Sequence, residues 1–290
     1  LVFDADGHYE ATNRVGAASS YTNWFPGVHV THALSPRLDL FGSWTQSIRR
    51  PDYGQLVPSR NVNRASGEIR EGNPNLRPTL YTNIDIAVEF AYRAGGRLAV
   101  EGFHRDIADT RLERRTRLVG GAFDGYERRR PENGGGASLR GFELKWKQEL
   151  SAIDPALDGF SVEGNYTYTD SVQELANRPG ERIPLTDLPM QELSWQLAYE
   201  RGGFFGSVEM NHRSEQLDSV AGERADDRFN PSRTRWNMSL SYELNERWRV
   251  FMDTENLTEA PETSYEGDPS RIEDYRLEPR EFRFGVKWEI

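Results

Sequence analysis

The stretch Glu281-Phe282-Arg283-Phe284-Gly285-Val286-Lys287-Trp288-Glu289-Ile290 alternates apolar and charged residues with a period of two. A strand sends successive side chains to opposite faces, so Phe282, Phe284, Val286, Trp288 and Ile290 share one face and Glu281, Arg283, Lys287 and Glu289 the other. The same pattern recurs upstream. Ile84, Ile86, Val88, Phe90 and Tyr92 alternate with Asp85, Ala87, Glu89 and Ala91, and Phe142, Leu144 and Trp146 alternate with Glu143, Lys145 and Lys147. Repeated this often, the pattern describes a sheet with one greasy and one wet face, the sequence form of a membrane β-barrel.

The alternating runs fall into hairpins. Short connections lie at 35–37, 94–96, 151–158, 202–203 and 245–247, and long ones at 49–79, 108–138, 172–189, 215–231 and 258–278. The reading is all-β: an antiparallel transmembrane barrel wall of about eleven strands. Each strand has roughly 9–13 residues, enough for a tilted strand to cross a bilayer. In outer-membrane barrels the short turns are periplasmic and the long loops extracellular. Trp44, Tyr92, Tyr199, Trp248 and Trp288 sit near strand ends, as interfacial aromatics do. Two strands break the alternation, with Glu101 sharing a face with Phe103 and Asp253 with Phe251; these positions are expected to face the lumen. A soluble β-sandwich also has apolar faces of period two. Against it stand the short–long alternation through five hairpins and strands longer than the usual five or six residues.

Composition narrows the function. The 290 residues carry 36 Lys+Arg and 46 Asp+Glu, a formal charge of −10, which argues against a nucleic-acid binder, since phosphate contacts need a basic face. Mean hydropathy is −0.76 and no run of about 18 apolar residues occurs, so no transmembrane helix is predicted. There is no cysteine, hence no disulfide or thiolate metal site. Neither G-x-S-x-G nor H-E-x-x-H is present, and His8, His29, His32, His104 and His212 show no ligand spacing. Asp4-Ala5-Asp6-Gly7 opens like a calcium loop but has Val15 at the twelfth position. No catalytic residue, metal or cofactor is expected.

Three stretches carry a family resemblance. Ser47-Ile48-Arg49-Arg50-Pro51-Asp52-Tyr53 is followed by Gly72-Asn73-Pro74-Asn75-Leu76-Arg77-Pro78; Gly102-Phe103-His104-Arg105-Asp106-Ile107 comes next; Glu255-Asn256-Leu257-Thr258 and Tyr265-Glu266-Gly267-Asp268-Pro269-Ser270-Arg271 precede the closing strand. In this order the chain resembles the C-terminal barrel half of TonB-dependent outer-membrane receptors, most closely the large xanthomonad and caulobacter-type subgroup. The resemblance implies a 22-stranded barrel around an N-terminal plug. Residues 24–290 would be its second half and residues 1–23 a loop or the end of a preceding strand, with the plug and the TonB-contacting segment missing. It implies residence in the bacterial outer membrane and active uptake of a scarce solute, a carbohydrate or a siderophore-like ligand. The implied partners are TonB through the missing N-terminal part, outer-membrane lipid and lipopolysaccharide, the small solute, and the barrel-assembly machinery. That machinery would read the closing strand through Phe284, Trp288 and Ile290, although the family usually ends on an aromatic residue.

Ligand selection is expected in the long loops. Arg49, Arg50, Arg114, Arg115 and Arg271 could capture an anionic solute through bidentate contacts, and Tyr53, Tyr126 and Tyr265 could stack on it. The plainer readings are contact with lipopolysaccharide phosphate for the arginines and loop packing for the tyrosines. A passive porin-like channel and a soluble carbohydrate-binding sandwich stay open as alternatives.

Overall fold

The computed structural model describes residues 2–3, 9–10, 22–92, 95–175, 178 and 180–288. The expectation for residues 1–23 therefore falls largely outside the described residues, as does that for Ile290. Eleven strands form one antiparallel meander, each paired with its sequence neighbour. They are β1 Gly27–Ser35, β2 Leu38–Arg49, β3 Thr79–Tyr92, β4 Gly96–Ala108, β5 Ala137–Glu149, β6 Phe160–Glu174, β7 Gln191–Arg201, β8 Phe204–Arg213, β9 Arg233–Asn245, β10 Trp248–Glu255 and β11 Glu281–Trp288. A two-residue strand, Arg182–Ile183, adds to the outer end of β6. Among the described residues, β1 and β11 are the two edges of the sheet and do not pair with each other.

Register carries the greasy face across the strands, and the two register shifts, at Ala33/Ser35 and Glu243/Asn245, lie beside short turns. Leu40 lies opposite Val88, Val88 opposite Val100, and Val100 opposite Leu144; farther along, Leu197 lies opposite Val208, Val208 opposite Met238, and Met252 opposite Phe284. A one-residue shift anywhere would turn this set to the wet face. Ile86, Val30 and Phe284 are 64%, 60% and 70% exposed. A soluble sandwich would bury such a face under a second sheet, and none of the other described sheets covers it. Near the short turns the same face carries an aromatic girdle. Phe90 stacks on Tyr92, Phe160 packs on Tyr199 with ring centroids 4.6 Å apart, and Trp248 stacks on Trp288 at 6.0 Å.

The opposite face is wet and paired. Asp85 bridges Arg105 and accepts a hydrogen bond from the Ser43 hydroxyl at 3.0 Å; Lys145 meets Glu143 at 2.9 Å and Lys147 meets Glu163 at 3.2 Å. The two strand irregularities have one explanation. Phe103 lies directly opposite Gly141, and Phe251 opposite Gly285, both on the wet face. Each ring covers its facing glycine so closely that a Cβ there would collide with it. A methyl at Gly141 would also strike the Tyr168 carbonyl and lie 2.7 Å from the Phe103 ring. Gly141→Ala is therefore expected to cost about 1–3 kcal/mol through overpacking. The check is heat-modifiable electrophoretic mobility, and an unshifted transition temperature would show that the wall absorbs the methyl.

Packed apolar side chains gather outside the wall. Leu112, Leu175, Ile183, Leu217 and Val220 form a buried cluster with Phe229 against it, all in the long connections. Lipid solvates the wall's apolar face, so only the loops, which meet water, need a conventional core.

Candidate functional site

The long connections fold into an assembly over the mouth of the wall. Segments Arg60–Asn63, Glu68–Glu71, Glu127–Asn133 and Arg111–Arg117 make one four-stranded sheet, with Glu127–Asn133 parallel to Glu68–Glu71. Segments Gln216–Ser219, Arg228–Asn230, Glu262–Glu266 and Ile272–Arg276 make another. A parallel bridge between Arg114 and Val220 joins the two.

Short polar hinges fix this assembly, and they coincide with the stretches that carry the family resemblance. Gly72 packs so tightly that a Cβ would collide with the Val57 carbonyl. Asn73 is buried; its Nδ2 donates to the Pro131 carbonyl at 3.0 Å, and its Oδ1 accepts from Asn75 N at 3.1 Å and Arg130 Nη2 at 3.2 Å. Asn256 is 5% exposed and sits at φ 51°, a left-handed conformation that asparagine tolerates better than most residues. Its Nδ2 donates to the carbonyls of Glu278 (2.8 Å) and Ala260 (3.2 Å), and its Oδ1 accepts from Ala260 N at 2.9 Å. One side chain thus ties both ends of the last loop. Asn256→Ala loses these bonds and keeps the strained φ, so we expect about 2 kcal/mol of destabilisation. Faster proteolysis within residues 256–280 is the readout, and unchanged cleavage would refute the hinge role.

Charge does the remaining work. Arg115, 5% exposed, reaches Glu127 at 2.7 Å, Glu266 at 3.2 Å and Glu273 at 3.4 Å, spanning both loop sheets. Burial opposes ionisation of Glu127, but the hydrogen bonds and charges of Arg115 and Arg129 outweigh it and hold the carboxyl below its ordinary range. A depressed carboxyl contributes stability above its unfolded pKa and loses it as pH falls through the folded value. Arg178 and Asp227, both buried, form a two-pronged pair, Nη1–Oδ1 at 2.9 Å and Nη2–Oδ2 at 2.8 Å. Asp227 Oδ1 also accepts from Ala221 N at 2.8 Å.

The predicted site residues divide. Arg115 is enclosed by carboxylates, so its charge is already matched. Tyr265 is buried, stacked on Phe229 at 5.4 Å and donating to Glu215 at 2.6 Å; burial, then that hydrogen bond, pushes its hydroxyl pKa up. Arg114 pairs with Glu132 at 3.2 Å. Arg271 donates to the Ala225 carbonyl at 2.7 Å and meets Glu266 and Asp226 at 3.3 and 3.4 Å. Tyr126 packs on Phe123 at 5.5 Å. These five are engaged in contacts within and between the loops. Arg49, Arg50 and Tyr53 are exposed at the end of β2 and just beyond. Phe284 and Trp288 lie on the lipid-facing side of β11.

Under the loops lies a cavity of about 680 Å³, lined by Arg49, Tyr81, Arg111, Leu139, Asp187 and Asp218 among others. Arg49, Tyr81 and Leu139 occupy the wet-face register, so the cavity belongs to the mouth of the lumen. Burial, with the Asp218 charge added, pushes the Asp187 carboxyl pKa up. Sequence reading passed over Asp187 and Asp218 because nothing in residues 172–189 or 215–231 signals that the two loops meet. The Asp187 N–H bond to the Leu217 carbonyl, 2.8 Å, brings them together. Such a chamber can bind and orient a polar solute. Among the described residues, no group of three His, Cys, Asp or Glu could hold a metal ion.

A strand wall with a lipid-facing band, a wet interior and a roofed mouth defines an outer-membrane barrel of the receptor kind. A family model described as TonB dependent receptor-like, beta-barrel, matches residues 2–257. The iron-regulated outer membrane virulence protein of Vibrio cholerae is 23% identical over 246 residues, covering 81% of this chain and 36% of that protein. A mutant of the ferric enterobactin receptor from Pseudomonas aeruginosa superposes with TM-score 0.62 at 17% identity, over 92% of this chain and 40% of that one. The siderophore receptor PirA from Acinetobacter baumannii gives 0.63 at 16%, over 92% and 41%. The chain belongs to the TonB-dependent receptor family, and its wall is a wall of the bacterial outer membrane. It spans about two fifths of the length of these relatives.

Proposed function

We propose that this barrel half serves active uptake of a scarce metal chelate, powered through TonB. The observation that carries the reading is the roof. The long connections are tied together by buried ion pairs and border an open chamber of about 680 Å³. A passive pore gains nothing from a roof held this firmly. The Vibrio relative is named for iron regulation and both structural neighbours for siderophores, so a chelated metal is favoured over the carbohydrate that the subgroup resemblance implies. In this reading Arg49 and Arg111 on the chamber wall orient the solute, with Arg50 and Tyr53 at its approach. The closing strand, through Phe284, Trp288 and Ile290, engages the assembly machinery.

The test measures uptake of radiolabelled ferric chelates and of labelled oligosaccharides by cells expressing the receptor, with and without TonB. Chelate uptake that disappears without TonB supports the reading. Uptake that persists without TonB would mean a passive channel, and uptake confined to oligosaccharide would mean a sugar receptor.

A further inference from the structure

The chamber at the lumen mouth carries charge that loop packing leaves unmatched. Its lining includes five carboxylates, Asp52, Glu71, Glu113, Asp187 and Asp218, against three arginines, Arg49, Arg70 and Arg111. Several of these are engaged elsewhere. Glu71 pairs with Arg60 at 2.6 Å, Arg70 pairs with Glu68, and Asp218 meets Arg228 at 3.4 Å. Asp52 is the N-cap of the short helix Tyr53–Leu56, and Arg111 donates to the Arg50 carbonyl at 3.3 Å. Among the described residues, the side chains of Arg49, Glu113 and Asp187 form neither an ion pair nor a hydrogen bond. Arg70 and Arg213 act on Glu113 and Asp187 only through space.

The two signs stand apart. Arg49 ends β2, whereas Asp187 follows β6, with β3, β4 and β5 between them in the wall. At the Asp187 end, like charges converge. The residue sits at φ 57°, a left-handed conformation, and its N–H bond to the Leu217 carbonyl, 2.8 Å, seats it next to Asp218. Burial first, then the charges of Asp218 and Glu113, push the Asp187 carboxyl pKa up against the pull of Arg213. No three of the carboxylates come close enough to hold a metal ion. An ammonium asks for less: one charge-assisted bond to a carboxylate, with further negative charge around it.

We propose that the chelate received by this chamber carries a protonated amine, which Asp187 binds with Glu113 and Asp218 around it, while Arg49 faces the chelate's anionic part. This rests on the reading of the chamber as a chelate site. A volume of about 680 Å³ suits a small organic chelate. A ferric tris-catecholate, negative on every side, would bring its charge against the carboxylates and is disfavoured there.

The test titrates the full-length receptor, purified in detergent, with three ferric chelates and reads binding by tryptophan fluorescence. The chelates are ferric desferrioxamine B, a hydroxamate with a free amine; its N-acetyl derivative, with the amine capped; and a tris-catecholate. The amine-bearing chelate is expected to bind roughly tenfold more tightly than the capped one, the weight of a single charge-assisted contact. Asp187→Asn keeps a backbone conformation that asparagine tolerates, and should bring the two hydroxamates to equal affinity by weakening the first alone. Glu113→Gln should lessen the preference, and Arg247→Glu, in the turn between β9 and β10, should leave it unchanged. Equal affinity for the two hydroxamates in the wild type overturns the proposal. So does tighter binding of the catecholate, or an Asp187→Asn receptor that loses both hydroxamates alike. Should Asp187→Asn prevent folding, Glu113→Gln decides, and an undiminished preference there is equally fatal. Failure of all three chelates to bind overturns the chelate reading itself, an outcome distinct from a receptor that binds them and ignores the amine.

Discussion

Asp227→Ala is expected to destabilise the loop assembly by about 3–5 kcal/mol, the usual result of leaving a buried charge without its partner. Among the described residues Arg178 would keep the carboxylate of Glu181, at 3.3 Å and partly exposed, while its two bonds to Asp227 vanish. The Ala221 N–H would lose its acceptor as well. Because this pair ties the connection after β6 to the one after β8, its loss should open both to protease while the wall stays folded. Limited proteolysis paired with heat-modifiable mobility separates the two effects. Replacing both partners, Arg178→Met with Asp227→Leu, should restore most of the protection, since an apolar pair of similar volume avoids the desolvation penalty. If Asp227→Ala alone leaves cleavage within the range of the wild type, the pair does not hold the roof.

Arg115→Met should cost about 3 kcal/mol near neutral pH, the lower end for breaking a buried pair. The lower end applies because each carboxylate keeps a second arginine: Glu127 has Arg129 at 2.6 Å, Glu266 has Arg271 at 3.3 Å and Glu273 has Arg228 at 3.3 Å. The sign of the pH response is the sharper forecast. In the wild type the depressed Glu127 carboxyl makes the roof lose stability as pH falls below the ordinary carboxylate range. In the variant the three carboxylates crowd one another without their shared cation. Their protonation is then favoured on folding, and the roof should gain stability as the medium is acidified from neutral. Protection against an acid-active protease, measured from neutral pH down through the ordinary carboxylate range, distinguishes the two slopes. Parallel slopes would remove Arg115 from the centre of the network.

The wall was legible in the sequence because two solvents impose its period. Ile84 to Tyr92 and Phe142 to Trp146 alternate because one side meets hydrocarbon and the other water, and each run pairs across its short connection as read. Phe103 and Phe251 looked like faults in the pattern and proved to be lids over Gly141 and Gly285, correctly placed in the lumen. The roof was legible only as length and charge. Arg111–Arg117 and Glu127–Asn133 read as a loop rich in arginine, whereas they are strands whose register sets Arg115 opposite Arg129 and Arg114 opposite Arg130. Parallel pairing with Glu68–Glu71 brings together segments far apart in the chain, and no local signal announces it. The stretches around Asn73 and Asn256 stood out by resemblance alone, and their work as hinges emerged from the bonds they make.

A packed cluster in the loops and a bare greasy wall divide the molecule into regions with different tolerance for change. Hydrocarbon chains have no fixed shape, so a position such as Val88 or Leu197 need only be oily, and many exchanges there should pass unnoticed. Gly72 or Asn256 admits almost no substitute, because its neighbours leave space for one outline and one bonding pattern. Variant libraries of this barrel should therefore show long permissive stretches punctuated by a few intolerant residues at the loop roots. Distant members of such a lineage would be recognisable by those punctuation marks long after the rest of the text had drifted.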